Sequence, residues 1–406
     1  MKTSHSFSPS QPSAGSRSPL PKDGIERARV LARQFAETAV ARDAAGGTPK
    51  AERDALRQSG LLSLSIPADY GGQGARWSET LETVRIFAQT DSSIAHVYGF
   101  HHLLLATVQL FSRPAQWEPW VEQTARKHWF WGNALNPLDE RTTVRRIGDW
   151  FEFSGKKSFC SGALDSEMLI ASGKEEIGGR MLIAAVPTAR AGITINSDWN
   201  CFGQRQTDSG SALFERVRVE AAELLRDPGP LSTPRSSLRP LLAQLVFIHM
   251  FLGLAEGALA DARHYTLHEA RPWFRSPASR ASEDSYTLRH YGEFHVALEG
   301  ARLLAGRATA LFDEAWLEGD ALSADARGHV ALAVATAKVA ASRAGLDVAS
   351  RVFETTGARA THGALRLDRY WRNLRVQTLH DPVDYKLQDI GNWVLNAQVP
   401  VPSFYS

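Results

Sequence analysis

The chain reads as an α+β protein in three parts: an N-terminal helical domain, a central antiparallel β-domain and a C-terminal helical bundle. Two observations predict this. Apolar residues recur at helical spacing up to about Arg126, and short β-prone runs broken by Gly, Asp and Pro then occupy residues 129–219. Beyond them come three long Ala- and Leu-rich stretches. Helices, then strands, then helices is not the alternation of a doubly wound parallel sheet. A length of 406 residues, 43% hydrophobic and 22% charged, suffices for two or three domains around a large core.

The elements follow in order. Residues 1–21 are rich in Ser and Pro and lack an apolar stretch, so residues 1–22 are expected to form a disordered arm and not a secretory signal. Residues 23–126 form the first domain. There Ile25, Ala28, Leu31, Ala32 and Phe35 share one helical face, and residues 67–72 mark a turn. One helix is expected over 78–89 and another from the N-cap Asp91 through Phe111. The second domain, residues 127–235, carries strands near 150–154, 168–172, 181–187, 192–196 and 212–219. The Asp227-Pro228-Gly229-Pro230 loop leads to the third domain, residues 236–406, with helices over 241–268, 284–318 and 324–355 that pack as an antiparallel bundle. No apolar run approaches the roughly 20 residues that span a bilayer.

Composition narrows the function. The formal net charge of +2 gives no bias toward nucleic acid. Two cysteines, Cys160 and Cys201, show no metal-ligand or disulfide spacing, so a reducing, cytoplasmic setting is expected. The motifs G-x-G-x-x-G, P-loop, H-E-x-x-H, G-x-S-x-G and C-x-x-C are all missing from the sequence.

What remains is a set of polar residues in apolar surroundings. His96 and Phe100 share a helix face at i, i+4, although a histidine on such a face is more often a satisfied core residue. Trp129-Phe130-Trp131-Gly132-Asn133 sets an amide after three aromatics; the cluster is core or, at Asn133, a hydrogen-bonding group for a planar heterocycle. Phe159-Cys160-Ser161-Gly162 offers a hydroxyl beside an aromatic, or a simple turn. Trp199 and the polar stretch 203–210, including Ser209, suit either a solvated loop or a cofactor wall. Arg271 and Arg359 lie beside helix-breaking residues, where a guanidinium is a surface charge or a phosphate ligand. Residues 370–382 end in His380-Asp381-Pro382, a proton-transfer pair beside a helix stop.

At these positions the chain resembles the acyl-CoA dehydrogenase superfamily from about residue 23 to its end. The resemblance rests on residues 66–74, on the strand-pair motif at 154–162, and on Gly203-Gln204-Arg205 through 214–219. Where many dehydrogenases carry Tyr-Glu-Gly-Thr, with Glu as the α-proton base, this chain has His380-Asp381-Pro382-Val383. Their Gly-Ser-rich acyl-CoA loop is replaced by residues 136–141. The chain is more similar to the monooxygenase branch, typified by dibenzothiophene monooxygenase and related indole and heteroaromatic oxygenases. It shares G-x-R-Q-T-D-S-G at 203–210, A-R-P-W at 270–273, W-R-N-x-R at 371–375, L-H-D-P-V-x-Y-K at 379–386 and P-x-P-x-F-x-S at 400–406.

That resemblance implies a two-component enzyme using reduced flavin (FMNH2 or FADH2) and O2. A separate NAD(P)H-dependent flavin reductase would supply the flavin. A C4a-hydroperoxyflavin would oxygenate a flat, apolar heteroaromatic at a thiophene-type sulfur or an indole-type carbon. His96, Ser161 and His380 would be catalytic. Asn133, Phe159, Ser161, Trp199, Ser209, Arg271, Arg359, His380 and Asp381 would bind the cofactor, one of the two arginines from a neighbouring subunit of a homotetramer. Phe100 and Trp131 would line the substrate pocket, and residues 133–138 would begin a mobile lid. An acyl-CoA dehydrogenase with an atypical base and a flavin-free helical scaffold are the alternatives.

Overall fold

The computed structural model describes residues 21–406. All but the last two residues of the arm expected over 1–22 lie outside that range. The first five helices are α1 (Gly24–Ala45), α2 (Lys50–Ser59), α3 (Trp77–Ala88), α4 (Ser92–Phe111) and α5 (Pro114–Lys127). Three of these starts follow capping chemistry. The Asp23 carboxylate accepts from Glu26 N at 2.8 Å to open α1. Asp91 accepts from Ser93 N and Ile94 N to open α4. The cap of α3 comes from far away in sequence: Asp313 accepts from Trp77 N at 2.9 Å and Ser78 N at 3.2 Å.

Seven strands follow: β1 (Trp131–Ala134), β2 (Thr142–Ile147), β3 (Trp150–Lys157), β4 (Met168–Glu175), β5 (Met181–Pro187), β6 (Ile193–Ile195) and β7 (Ala212–Glu220). Four pairings are antiparallel: β2–β3, β3–β7, β4–β5 and β6–β7. The sheet nevertheless departs from the purely antiparallel one expected, because β1 and β2 both run parallel to β4. With β5 on one edge of β4, β1 and β2 share the other edge in succession. Ala134 pairs with Ala171 and Thr143 with Lys174, so β4 advances far less than the chain beside it. The surplus residues must leave the sheet, and they form the loop 135–141.

The last five helices are α6 (Leu238–His268), α7 (Ser285–Glu318), α8 (Ala324–Thr356), α9 (Asp368–Thr378) and α10 (Val383–Asn396). Pro382 stands between the last two as the N-cap of α10, where a missing N–H costs nothing. By length and hydropathy alone α4 and α6 pass for membrane spans, contrary to the sequence expectation. Yet 94% of each apolar window is buried inside the protein, so these are the central helices of the core. Gly99 lets them meet: a Cβ there would lie 2.6 Å from Val246 Cγ1. That approach sets His96 and Phe100 of α4 against Phe247 of α6, with ring centroids 6.0 and 5.6 Å away.

Candidate active site

A cleft of about 800 Å³ opens where α4, α6 and the end of α9 face the loops of the sheet. Its size suits a cofactor-bearing site. His96, Phe100, Asn133, Ser161, Arg239 and His380 are among the side chains that line it.

The helical wall is built on α4. His96 and Phe100, one turn apart, stack at 4.2 Å between centroids. The Gln377 amide sits 3.0 Å from His96 Nδ1. As the amide nitrogen can only donate, Nδ1 accepts and Nε2 carries the proton. Nε2 is buried and has no hydrogen-bond partner. Burial, with a smaller contribution from His380, pushes the His96 pKa down to about 3. The ring is therefore a neutral donor at any ordinary pH.

His380 stands in a different setting. Its Nδ1 lies 3.3 Å from Asp381 Oδ1, which leaves Nε2 free. Its ring is 4.6 Å from Phe247 and 5.7 Å from Tyr405. Behind it Asp381 is clasped by Lys338 at 3.4 Å and Lys386 at 3.7 Å. Burial alone would raise the Asp381 carboxyl, but Lys338, His380 and Lys386 hold it well below the usual carboxylate range. Burial pushes Lys338 down to about 8, opposed by Asp381. Lys386 also donates to the Tyr405 carbonyl, and Arg327 donates to the Ser406 carbonyl at 2.5 Å. These bonds hold Phe404 and Tyr405 at the cleft.

The sheet supplies the opposite wall. Phe159 adopts a left-handed backbone with φ 60° and is 57% exposed. Trp199 meets that ring edge-on at 5.9 Å. A chain of hydroxyls runs from Ser161 to Ser209 and on to Thr207, each step 2.7 Å. The loop carrying Ser209 is docked on α4 and α9, with Gln204 bonded to Ser92 Oγ and to Asn373 Oδ1. The buried Arg53 joins this loop to the Ser161 turn through Asp208 and the Gly162 carbonyl. Asn133 makes only long side-chain contacts, 3.3–3.5 Å, so its amide has capacity for a ligand. The loop 135–141 rims the cleft. Lys157 donates to its Asn136 carbonyl at 3.2 Å, and Asp139 binds Arg141 and Ser158 N.

Four expected residues stand elsewhere. Trp131 is buried outside the cleft: it shares a strand face with Asn133, but at its position α5 covers that face and Thr124 Oγ1 accepts from Nε1 at 2.9 Å. Asp381 does not line the cleft, because its carboxylate is turned to the two lysines. Arg271, on the loop after α6, and Arg359, on the turn after α8, are exposed and do not line the cleft of their own chain. The sequence reading also passed over residues that matter here. Arg239 is a lone charge in a Leu-rich run, and Lys338 is a lone charge on the apolar face of α8; both anomalies were visible. Gln377 and Tyr405 carried no such signal.

With the geometry in place, the comparisons decide the lineage. Residues 25–128 match the acyl-CoA dehydrogenase N-terminal domain and residues 245–385 its C-terminal domain. The chain belongs to the acyl-CoA dehydrogenase family. It falls in the flavin-dependent monooxygenase branch. A probable FMNH2-dependent monooxygenase, SfnC of Pseudomonas putida, is 67% identical over 95% of this chain and 98% of its own. The structure of methanesulfinate monooxygenase MsuC from Pseudomonas fluorescens superposes with a TM-score of 0.93 at 69% identity, covering 94% of this chain and 99% of its own. FMN-bound TdsC from Paenibacillus sp. A11-2 is 40% identical with a TM-score of 0.90, over 94% and 100% of the two chains.

The residues present fit a flavin. An isoalloxazine needs hydrogen-bonding groups along one edge and apolar contact on its faces. Asn133, Ser161 and the unpartnered His96 Nε2 offer the first, and Phe159 and Trp199 offer the second.

Proposed function

We propose that this chain is the oxygenase of a two-component system that takes reduced FMN from a separate NAD(P)H-dependent reductase and oxygenates an electron-rich sulfur. The pairing of His96 and His380 across one cleft carries the reading. Reduced flavin and O2 supply one electrophilic oxygen atom, and the second oxygen leaves as water. The protein must then hold a proton where it is needed and keep bulk water away. His96 Nε2 offers a fixed, neutral donor. His380 donates from Nδ1 to Asp381, which leaves Nε2 free to take up a proton and return it. Ser161, in its hydroxyl chain, donates or accepts as required. The loop 135–141 and Phe404–Tyr405 exclude water.

The acyl-CoA dehydrogenase alternative loses support at Asp381. A carboxylate clasped by two lysines and turned from the cleft is not placed to take an α-proton. Sulfur is favoured because the similar structure MsuC is a methanesulfinate monooxygenase, and relatives at 42% identity are dibenzothiophene monooxygenases. An indole-type ring carbon is the second reading, supported by the Phe100, Leu103 and Leu379 wall and by the indole-bound TdsC structure. A cytoplasmic homotetramer belongs to the same proposal. Exposed Val296, Leu303 and Leu317 on α7 offer an apolar face for subunit contact, and a neighbouring subunit would bring Arg271 or Arg359 to the flavin phosphate. The test supplies reduced FMN and ¹⁸O2 with methanesulfinate, dibenzothiophene or indole. One ¹⁸O per product molecule is expected. Label in no product, with dye reduction by an acyl-CoA instead, would overturn the reading.

A further inference from the structure

Arg239, at the start of α6, lines the cleft with 6% of its surface exposed. Its guanidinium donates one hydrogen bond among the described residues, from Nε to Thr107 Oγ1 at 3.3 Å. It forms no ion pair there, and Tyr405 is the one titratable neighbour that acts on its charge. The other cation that lines the cleft is paired, Arg141 with Asp139, and behind the cleft Lys338 and Lys386 share Asp381. Burial pulls the guanidinium down to about 10, which leaves it charged at neutral pH. The N-terminal end of α6 adds potential of the same sign. A desolvated charge without a counterion is costly, so an anion is wanted in the working state.

We infer that Arg239 anchors the anionic end of the substrate, and that the substrate class is a small alkanesulfinate and not a neutral aromatic sulfide. This rests on the sulfur-oxygenation reading. A guanidinium binds two oxygens of one group through parallel N–H donors. A sulfinate so held keeps its sulfur lone pair and alkyl group pointing away from Arg239, and that lone pair forms the new S–O bond. Sulfinate, O2 and reduced flavin give sulfonate, oxidised flavin and water. The anion carries one negative charge before and after, so Arg239 stays compensated through turnover. Dibenzothiophene would leave it unpaired.

The test compares wild type with Arg239→Gln and Arg239→Lys. Expected for Arg239→Gln is a KM for methanesulfinate raised about 10- to 100-fold with FMN affinity held within about twofold, part of which Arg239→Lys restores. An unchanged KM, or FMN affinity lost by the same factor, overturns the inference; the second result would hand Arg239 to the flavin phosphate. If the variants fail to fold, calorimetry on the FMN-loaded wild type decides. Methanesulfinate should bind, more weakly as salt rises, and the neutral dimethyl sulfone should not; equal binding contradicts the inference. Wild type that oxygenates dibenzothiophene but not methanesulfinate sinks the Arg239 inference alone. Wild type that oxygenates neither sinks the reaction reading, and the calorimetry still judges Arg239.

Discussion

His96 and His380 face one cleft from opposite kinds of surroundings. His96 is sealed between Phe100, Phe247 and the Gln377 amide, with a pKa near 3. His380 is 38% exposed at its side chain and backed by an aspartate that two lysines keep ionised. One ring is fixed in charge and tautomer by burial. The other is oriented by charge and open to the ligand. The difference teaches that two like residues can share the proton chemistry of one cleft by holding different states. In the proposed reaction His96 would keep a permanent donor and His380 would handle the proton that moves.

The strongest way to break this contrast is to remove the charge behind His380. Asp381→Ala leaves Lys338 and Lys386 buried without a counterion, and breaking such a cluster costs about 3–5 kcal/mol of stability. Urea unfolding near pH 7 measures it. Because the Asp381 carboxyl titrates below its ordinary value, its contribution is present above the ordinary carboxylate range and lost as pH falls through the depressed folded value. The wild-type and variant curves should therefore converge in strong acid. A stability loss that persists there would point to packing.

A smaller effect sharpens the His96 side. Its folded pKa of about 3 lies below the ordinary 6.5. Above pH 6.5 both folded and unfolded chains hold the ring neutral, so its contribution is fully present. As pH falls from 6.5 toward 3 the unfolded chain takes up a proton that the folded chain refuses, and stability drops. His96→Gln should flatten the fall by about 1.4 kcal/mol per pH unit, the weight of one proton. His101, His102 and His249 are also buried and shifted down, so a residual slope should remain. An unchanged slope would mean that His96 is not held neutral.

Much of this arrangement was legible before any coordinates. The long helices of the C-terminal bundle announce themselves by length and apolar content, and the Asp91 cap fixes where α4 begins. His96 and Phe100 follow from i, i+4 spacing. β2 was missed because Arg145 and Arg146 break its apolar alternation: only Thr142 and Val144 point fully inward. Trp131 was misplaced because strand periodicity gives the face and not what covers it, and α5 covers it. The Lys338–Asp381–Lys386 cluster was beyond reach, because Lys338 comes from α8, 43 residues away in sequence from the Asp381 it pairs with. Arg239 was legible as an anomaly in an apolar run, but its meaning needed the cleft.

The contrast between the two histidines is tested most directly by counting where the oxygen goes. Wild type and His380→Ala, each loaded with reduced FMN and mixed with O2 and methanesulfinate, are assayed for sulfonate and for H2O2 per flavin oxidised. Wild type should yield mainly sulfonate. His380→Ala should bind FMN as before yet lose product about 100-fold, with H2O2 in its place. An unchanged sulfonate-to-peroxide ratio would contradict the role of His380.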